Sequence, residues 1–277
     1  MPLSGRRGDM EKIRIGTRGS ALALAQAKLA AAALEERGFR TELLIVRTRG
    51  DEDLQNPLSL IGRGAFTDVF AEMLSRGEID VAVHSAKDLP VGEEKDGFYC
   101  LPRADARDLL IRAAQGNRIG TGSPRRAAGA LRLFPQARVL PVRGNVDTRL
   151  RKLAAGEYDA LVLAAAGLQR LGLLRGEQVI FENRAFSCRF FRPCECVPAA
   201  CQGIIALEGK AGALVNDAAT QRAALLERRA LRLLGGDCTG GAGAYFDGTD
   251  LFVQREGKIA QMTYRGEETL FALAERV

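Results

Sequence analysis

Two arginine-rich groups carry most of the chemistry this chain can do. One reads Gly120-Thr121-Gly122-Ser123-Pro124-Arg125-Arg126, and the other Arg143-Gly144-Asn145-Val146-Asp147-Thr148-Arg149, with Arg170 further on. Between Arg103 and Arg151 there are eleven arginines and three aspartates, with no lysine and no glutamate. That local excess is larger than the +6 formal charge of the whole protein. A guanidinium makes two-pronged hydrogen bonds to a carboxylate or phosphate. Hydroxyls and backbone N–H groups at a helix start add neutral donors for the same anion. The predicted ligand is small and carries several negative charges.

Other residues could act on such a ligand. In His84-Ser85-Ala86-Lys87-Asp88, Asp88 can work as a general acid/base or stabilise a cation, and Lys87 can bind an acid. The bland alternative for that pair is a surface ion pair worth little. His84, the single histidine, suits either catalysis or a structural hydrogen bond at a strand end. Cys238 lies in Gly235-Gly236-Asp237-Cys238-Thr239-Gly240-Gly241. A thiol there could be a nucleophile, a covalent attachment point, or a small buried residue in a turn. Cys194, Cys196 and Cys201 cluster, but their spacing matches no structural zinc pattern, so no metal is expected. Gly62-Arg63-Gly64-Ala65-Phe66 is glycine-rich but lacks the Gly-Lys-Ser/Thr ending of a phosphate-binding loop.

These residues need elements to hold them. Residues 13–17 form a short apolar run, 21–37 have helical composition up to Gly38, and 41–46 are rich in strand formers. Residues 66–75 read as a helix and 80–83 as a buried strand. The alternation begins again after Arg103. Strands are predicted at 110–112, 118–119, 137–142 and 160–163, and helices at 124–134, 146–155 and 166–171. This is the pattern of parallel sheets covered by helices, in two lobes. The stretch 181–201, with Pro193 and Pro198, is a predicted linker. A helix over 218–234 precedes a small α+β tail with hairpin signals at Asp247-Gly248 and Glu256-Gly257. The polar motifs fall just after predicted strands, where open α/β sheets bind ligands.

The bulk numbers narrow the class. At 277 residues the chain can bury a sizeable core and hold two or three domains. No apolar run approaches the roughly 20 residues of a membrane span. The polar start over residues 1–12 predicts a cytoplasmic protein with reduced thiols. Aromatics make up 6% with no tryptophan, and the excess charge sits in regular α/β structure. That favours a concave anion site over a nucleic-acid groove. A non-enzymatic anion-binding protein of the same architecture would need the arginines but neither Asp88 nor Cys238.

Further motifs run through the chain in a fixed order with those above. They include Ile15-Gly16-Thr17-Arg18-Gly19-Ser20-Ala21-Leu22-Ala23-Leu24, Thr48-Arg49-Gly50-Asp51 and His84-Ser85-Ala86-Lys87-Asp88-Leu89-Pro90. The two arginine groups, Tyr158-Asp159-Ala160, Ala164-Ala165-Ala166-Gly167-Leu168 and Arg170-Leu171-Gly172-Leu173 continue the series. Pro198-Ala199, Gln202-Gly203 and Gly235-Gly236-Asp237-Cys238 complete it across nearly the whole chain. Taken in order, the motifs resemble the porphobilinogen deaminase (hydroxymethylbilane synthase) family.

The resemblance implies two doubly wound lobes like those of periplasmic binding proteins, plus a small α+β C-terminal domain. Residues 1–102 with 200–214 would form the first lobe, 103–199 the second, and 215–277 the domain carrying the cofactor cysteine. The family joins four porphobilinogen units head to tail into hydroxymethylbilane, releasing ammonia, on a covalent dipyrromethane. By the match, Cys238 is the attachment point and Asp88 the catalytic carboxylate. Ser85, Lys87, Thr121, Ser123, Arg125 and Arg126 would hold the cofactor's carboxylates. Arg18, Ser20, Arg143, Arg149, Arg170 and Gln202 would hold the incoming pyrrole. Arg63 and Phe66 would lie in the active-site lid. A monomer with no metal, nucleic-acid or membrane partner is expected. The chain departs from the family at Arg63, where a lysine is usual, and at Cys201, where a glycine is usual. Its linker is cysteine-rich, its second lobe is trimmed before Gly120, and its third domain is short.

Overall fold

The computed structural model describes residues 12–46, 68–92, 96–236 and 241–277. The chain opens with β1 (Lys12–Arg18), α1 (Ala21–Glu35), β2 (Arg40–Val46), α2 (Asp68–Ser75), β3 (Val81–Ser85) and β4 (Phe98–Cys100). It then crosses into β5 (Asp108–Arg112), β6 (Arg118–Gly120), α3 (Pro124–Leu133), β7 (Arg138–Leu140), α4 (Val146–Ala154) and β8 (Ala160–Ala164). The short helix α5 (Ala165–Arg170) and strands β9 (Leu174–Arg175), β10 (Gln178–Phe181) and β11 (Arg184–Phe190) follow. A second crossing returns as β12 (Ile205–Glu208). Finally α6 (Ala218–Leu233) leads to β13 (Gly243–Phe246), β14 (Asp250–Arg255), β15 (Lys258–Thr263) and α7 (Glu267–Ala274).

Three sheets result, ordered β2-β1-β3-β12-β4, β7-β6-β8-β5-β11-β10-β9 and β13-β14-β15. Each large sheet has a parallel heart, β2-β1-β3 in one and β7-β6-β8 in the other. Antiparallel strands extend both: β12 joins β3 to β4, and β5 joins β8 to β11. The molecule is thus two mixed α/β lobes with a small antiparallel sheet and helices behind them.

Local sequence explains the main elements. Residues 81–84 of β3 are all buried, so the strand is an uninterrupted Val-Ala-Val-His run. Helix α1 starts at Ser20, whose hydroxyl accepts from the Ala23 N–H. Helix α3 starts the same way at Ser123, and Pro124 takes the first turn, where no donor is needed. The first core packs Ile15, Leu34, Val81 and Leu207, and the second packs Leu109, Ile111, Leu150 and Leu161. Fully burying each such side chain contributes roughly 1.5–3 kcal/mol relative to exposure.

The linker predicted over 181–201 requires correction. Its first half is strand: Arg184–Phe190 pairs with β10 on one side and β5 on the other. The turn at Glu182 and Asn183 has φ +47 and +62, as a tight hairpin requires. Arginines on the solvent side mask the alternation that buries Phe186 and Cys188. Only the following stretch, 191–204, is an irregular crossing.

The two crossings touch at Gly203. The Ala104 N–H donates to the Gly203 carbonyl at 3.0 Å. Gly203 has φ +86, and a Cβ there would stand 2.5 Å from the Ala104 carbonyl oxygen. Gly203→Ala is therefore expected to destabilise the fold by roughly 2 kcal/mol or more, from left-handed strain plus backbone collision. A denaturant midpoint equal to wild type would show that the crossings can separate at no cost.

Candidate functional site

The predicted polar residues sit at or just after strand ends in both lobes. In the first lobe, Arg18 ends β1, Ser20 caps α1, and Ser85 ends β3. Lys87 and Asp88 follow in a single 3-10 turn, Ala86–Asp88, with Lys87 half-buried and Asp88 exposed. In the second lobe, Thr121 and Ser123 follow β6, Arg125 and Arg126 open α3, Arg143 follows β7, Arg149 lies on α4, and Arg170 ends α5. Gln202 sits on the second crossing.

A continuous polar chain joins the lobes. Lys87 Nζ lies 3.5 Å from Gln202 Oε1, which also accepts from Arg126 Nη2 at 3.2 Å. The Gln202 amide nitrogen donates to the Ala106 carbonyl at 2.7 Å and to Asp108 Oδ1 at 2.9 Å. Asp108, with no exposed surface, accepts from Arg126 Nε at 2.9 Å and Arg125 Nη1 at 2.7 Å. Arg125 points inward, donating also to the Val197 carbonyl at 2.5 Å, and its guanidinium lies 3.3 Å from Cys196 Sγ. The third sheet closes this corner. Gln254 of β14 accepts from the Val197 N–H and donates to the Arg125 carbonyl. A Cβ on Gly243 would stand 2.9 Å from both Arg125 Cδ and the Val197 carbonyl oxygen.

Charge in this region is uneven. Burial opposes the Asp108 charge, but Arg125 and Arg126 hold its carboxyl well below the usual range. Burial, reinforced by Arg126, pushes Lys87 down to about 8. Burial and then Arg126 lower Arg149, and burial brings Arg170 to about 10. Arg149 donates to the Gly144 carbonyl and Arg170 to the Gly203 carbonyl, both neutral acceptors. Several cations thus pay for burial or for each other's company, which an incoming anion would relieve.

That imbalance has a measurable sign. Burial, with Arg126 beside it, lowers native Lys87 to about 8 from the ordinary 10.5 that the unfolded chain keeps. Between these values the unfolded state binds more protons, so stability rises with pH. Lys87→Met is expected to melt above the ligand-free wild type below pH 8, with the gap closing toward pH 10.5. A pH-independent gap would show that Lys87 is not strained by its surroundings.

The other predicted residues are placed as follows. Ser85 exchanges hydrogen bonds with Gln26 of α1, at 2.8 and 3.2 Å. The Thr121 hydroxyl accepts from the Ser123 N–H, and the Ser123 hydroxyl from the Arg126 N–H. Arg143 is exposed and Arg18 half-buried. His84 is buried, edge-on to Phe70, with Nε2 3.0 Å from Glu208 Oε2, so it serves the first lobe's interior. Cys194 is exposed, whereas Cys196 and Cys201 are buried. Arg63, Phe66 and Cys238 lie outside the described residues, as does Thr48-Arg49-Gly50-Asp51.

Sequence reading missed several residues. Asp108 left a signal: it is an acid at the head of the apolar Leu109-Leu110-Ile111 strand. Glu227 on α6 left none. It is fully buried and accepts from Arg103 on the first crossing, the Cys201 N–H on the second, and the Phe246 N–H of β13. Conversely, much of the arginine excess is spent elsewhere: Arg107 pairs with Asp105, Arg118 with Asp159, and Arg151 with Asp147 and Glu182.

Residues 13–217 match the family model described as porphobilinogen deaminase, dipyromethane cofactor binding domain. The porphobilinogen deaminase of Roseiflexus castenholzii is 41% identical over 264 residues, covering 87% of this chain and 84% of that one. That of Cytophaga hutchinsonii is 41% identical over 249 residues, covering 82% and 76%. Among solved structures, the Lactococcus lactis GlnP substrate binding domain 2 is similar at a TM-score of 0.45 with 11% identity, covering 83% of this chain and 93% of that one.

Proposed function

The chain belongs to the porphobilinogen deaminase family, and we propose that its cleft works through the residues at the strand ends of both lobes. The protein is a transferase of tetrapyrrole biosynthesis with porphobilinogen as substrate and dipyrromethane as cofactor. When bound, the dipyrromethane supplies the primer on which the pyrrole chain is extended. The donor set fits such a polycarboxylate, because Lys87 and Arg149 carry charges that burial and Arg126 penalise. Carboxylates placed among them remove that penalty.

In this reading Ser85, Lys87, Thr121, Ser123, Arg125 and Arg126 hold the cofactor, which Cys238 bonds as a thioether. Arg126 and Lys87 face the carboxylates, while Arg125 supports from within. Arg18, Ser20, Arg143, Arg149 and Arg170 orient the incoming pyrrole, and Gln202 sets the spacing between Lys87 and Arg126. Asp88 stabilises the cation that develops on the substrate as ammonia leaves, and takes up the proton released when the new carbon–carbon bond forms. Arg63 and Phe66 belong to the lid. The working units are 1–102 with 200–214, 103–199 and 215–277.

The observation that carries the reading is the Lys87–Gln202–Arg126 bridge, which brings cations of both lobes to one cleft. Intact mass tests it. Arg126→Leu is expected to leave protein without cofactor, whereas Arg143→Leu and Arg170→Leu keep the cofactor and stall elongation. Each removes a charge-assisted contact worth about 1.5–3 kcal/mol. Normal cofactor and normal chain growth in all three would reduce these arginines to surface charge.

No helix among the described residues is long and apolar enough to cross a membrane. The exposed large apolar side chains, such as Leu29, Ile45, Leu131 and Phe271, are spread over separate elements. We further propose a cytoplasmic monomer, and light scattering of the purified protein checks the oligomeric state.

A further inference from the structure

We propose that Asp108 is a positioning residue for the reaction: from beneath the cleft it holds Arg125, Arg126 and Gln202 in one fixed array that meets the primer's carboxylates already assembled. The inference rests on the reading of Arg126 given above.

The geometry is unusually complete for one side chain. Oδ2 accepts from Arg125, and Oδ1 accepts from both Arg126 and Gln202. Asp108 is fully buried, so no water competes for these bonds. Its backbone is equally constrained. Its Cα is paired with Ala164, the residue before α5, and its carbonyl accepts from the Phe191 N–H at 2.8 Å. The carboxylate therefore sits at the junction of β5, the start of α3 and both crossings.

A stability role alone accounts poorly for this arrangement. Replacing a buried ion cluster by well-packed apolar residues is often neutral or stabilising, so the cluster need not exist for the fold. The corner also remains electropositive. One carboxylate faces Arg125 and Arg126, while Lys87 and Arg149 lie within electrostatic range of Arg126. Asp108 compensates enough charge to keep two guanidiniums side by side, yet leaves the cleft side cationic. A flexible arginine must lose rotamer freedom on binding an anion, whereas Arg126, gripped at Nε and Nη2, has already lost it. Asp108 thus moves the ordering cost from the moment of binding to the moment of folding.

The test compares Asp108→Asn, Asp108→Glu, Arg126→Leu and Val179→Ala. The last is a buried strand residue of the second lobe that takes no part in the cluster, and serves as a control for lost stability. Melting temperature is measured for each, with intact mass during incubation with porphobilinogen to give the rate at which primer-free chain becomes primed. Asp108→Asn is expected to fold and to prime roughly tenfold or more slowly than Val179→Ala, the loss of about one charge-assisted contact. Asp108→Glu keeps the charge but shifts it by a methylene, and should fall between the two. Priming of Asp108→Asn at the rate of Val179→Ala would overturn the inference. If Asp108→Asn does not fold, Asp108→Glu decides: slower priming than Val179→Ala supports the role, and equal priming removes it. Normal priming of Arg126→Leu would instead defeat the reading of the cleft itself. Failure of Arg126→Leu with normal priming of Asp108→Asn would defeat only the role of Asp108.

Discussion

Asp88→Asn is expected to lower kcat by roughly 10²–10⁴-fold while KM changes little, the range for loss of a positioned proton-transfer group. The side chain is exposed at the end of the 3-10 turn Ala86–Asp88, so an isosteric amide there leaves the fold intact. In the proposed role the carboxylate matters most when the substrate becomes cationic, so its loss should be felt in the transition state and not in binding. One secondary effect has a definite sign. Asp88 helps keep Lys87 protonated, against burial and Arg126. In the variant Lys87 loses that support, and its hold on the cofactor's carboxylates is expected to weaken at a lower pH than in wild type. Steady-state kinetics at pH 7 check the first statement, and a pH series for the priming of cofactor-free protein checks the second. A variant with near-normal kcat would remove Asp88 from the mechanism.

Cys238→Ser is expected to yield a protein whose intact mass equals its polypeptide and whose turnover is at background. A thiolate is a soft nucleophile toward carbon, whereas a serine hydroxyl without an activating base is far weaker. The structure explains why other thiols should not substitute. Burial pushes Cys196 up to about 11 and Cys100 up to about 12, and raises Cys201 well above its ordinary value. Cys188 is buried within the second sheet. Cys194 is exposed, but it follows β11 beside Arg192, whose guanidinium is paired with Glu195. Wild-type protein should be heavier by one dipyrromethane, and incubation with porphobilinogen should add pyrroles one at a time. A Cys238→Ser protein that still carries the cofactor would move the attachment point elsewhere.

The order of motifs from Ile15 to Cys238 was enough to identify the family, because these segments must occur together to bind one polycarboxylate. Local signals also placed most elements. Ser20 and Ser123 are helix caps, Gly38 stops α1, and the apolar run at Val81–Val83 is a strand buried on both faces. Such features depend on a few neighbouring residues, so a linear reading reaches them. The strand Arg184–Phe190 was hidden because its identity comes from pairing with β5, about 75 residues earlier in the chain. The role of each charge was equally invisible. A count of arginines cannot distinguish Arg118, tied to Asp159, from Arg149, which donates to a neutral carbonyl. Electrostatic environment is set by distance and burial, and the residues that set it here are far apart in sequence. Asp108 and Gln202 are separated by 94 positions, and Arg103 and Glu227 by 124. Sequence therefore determined which groups the protein has for its chemistry, and folding decided which of them support the cleft from within and which remain to meet the ligand.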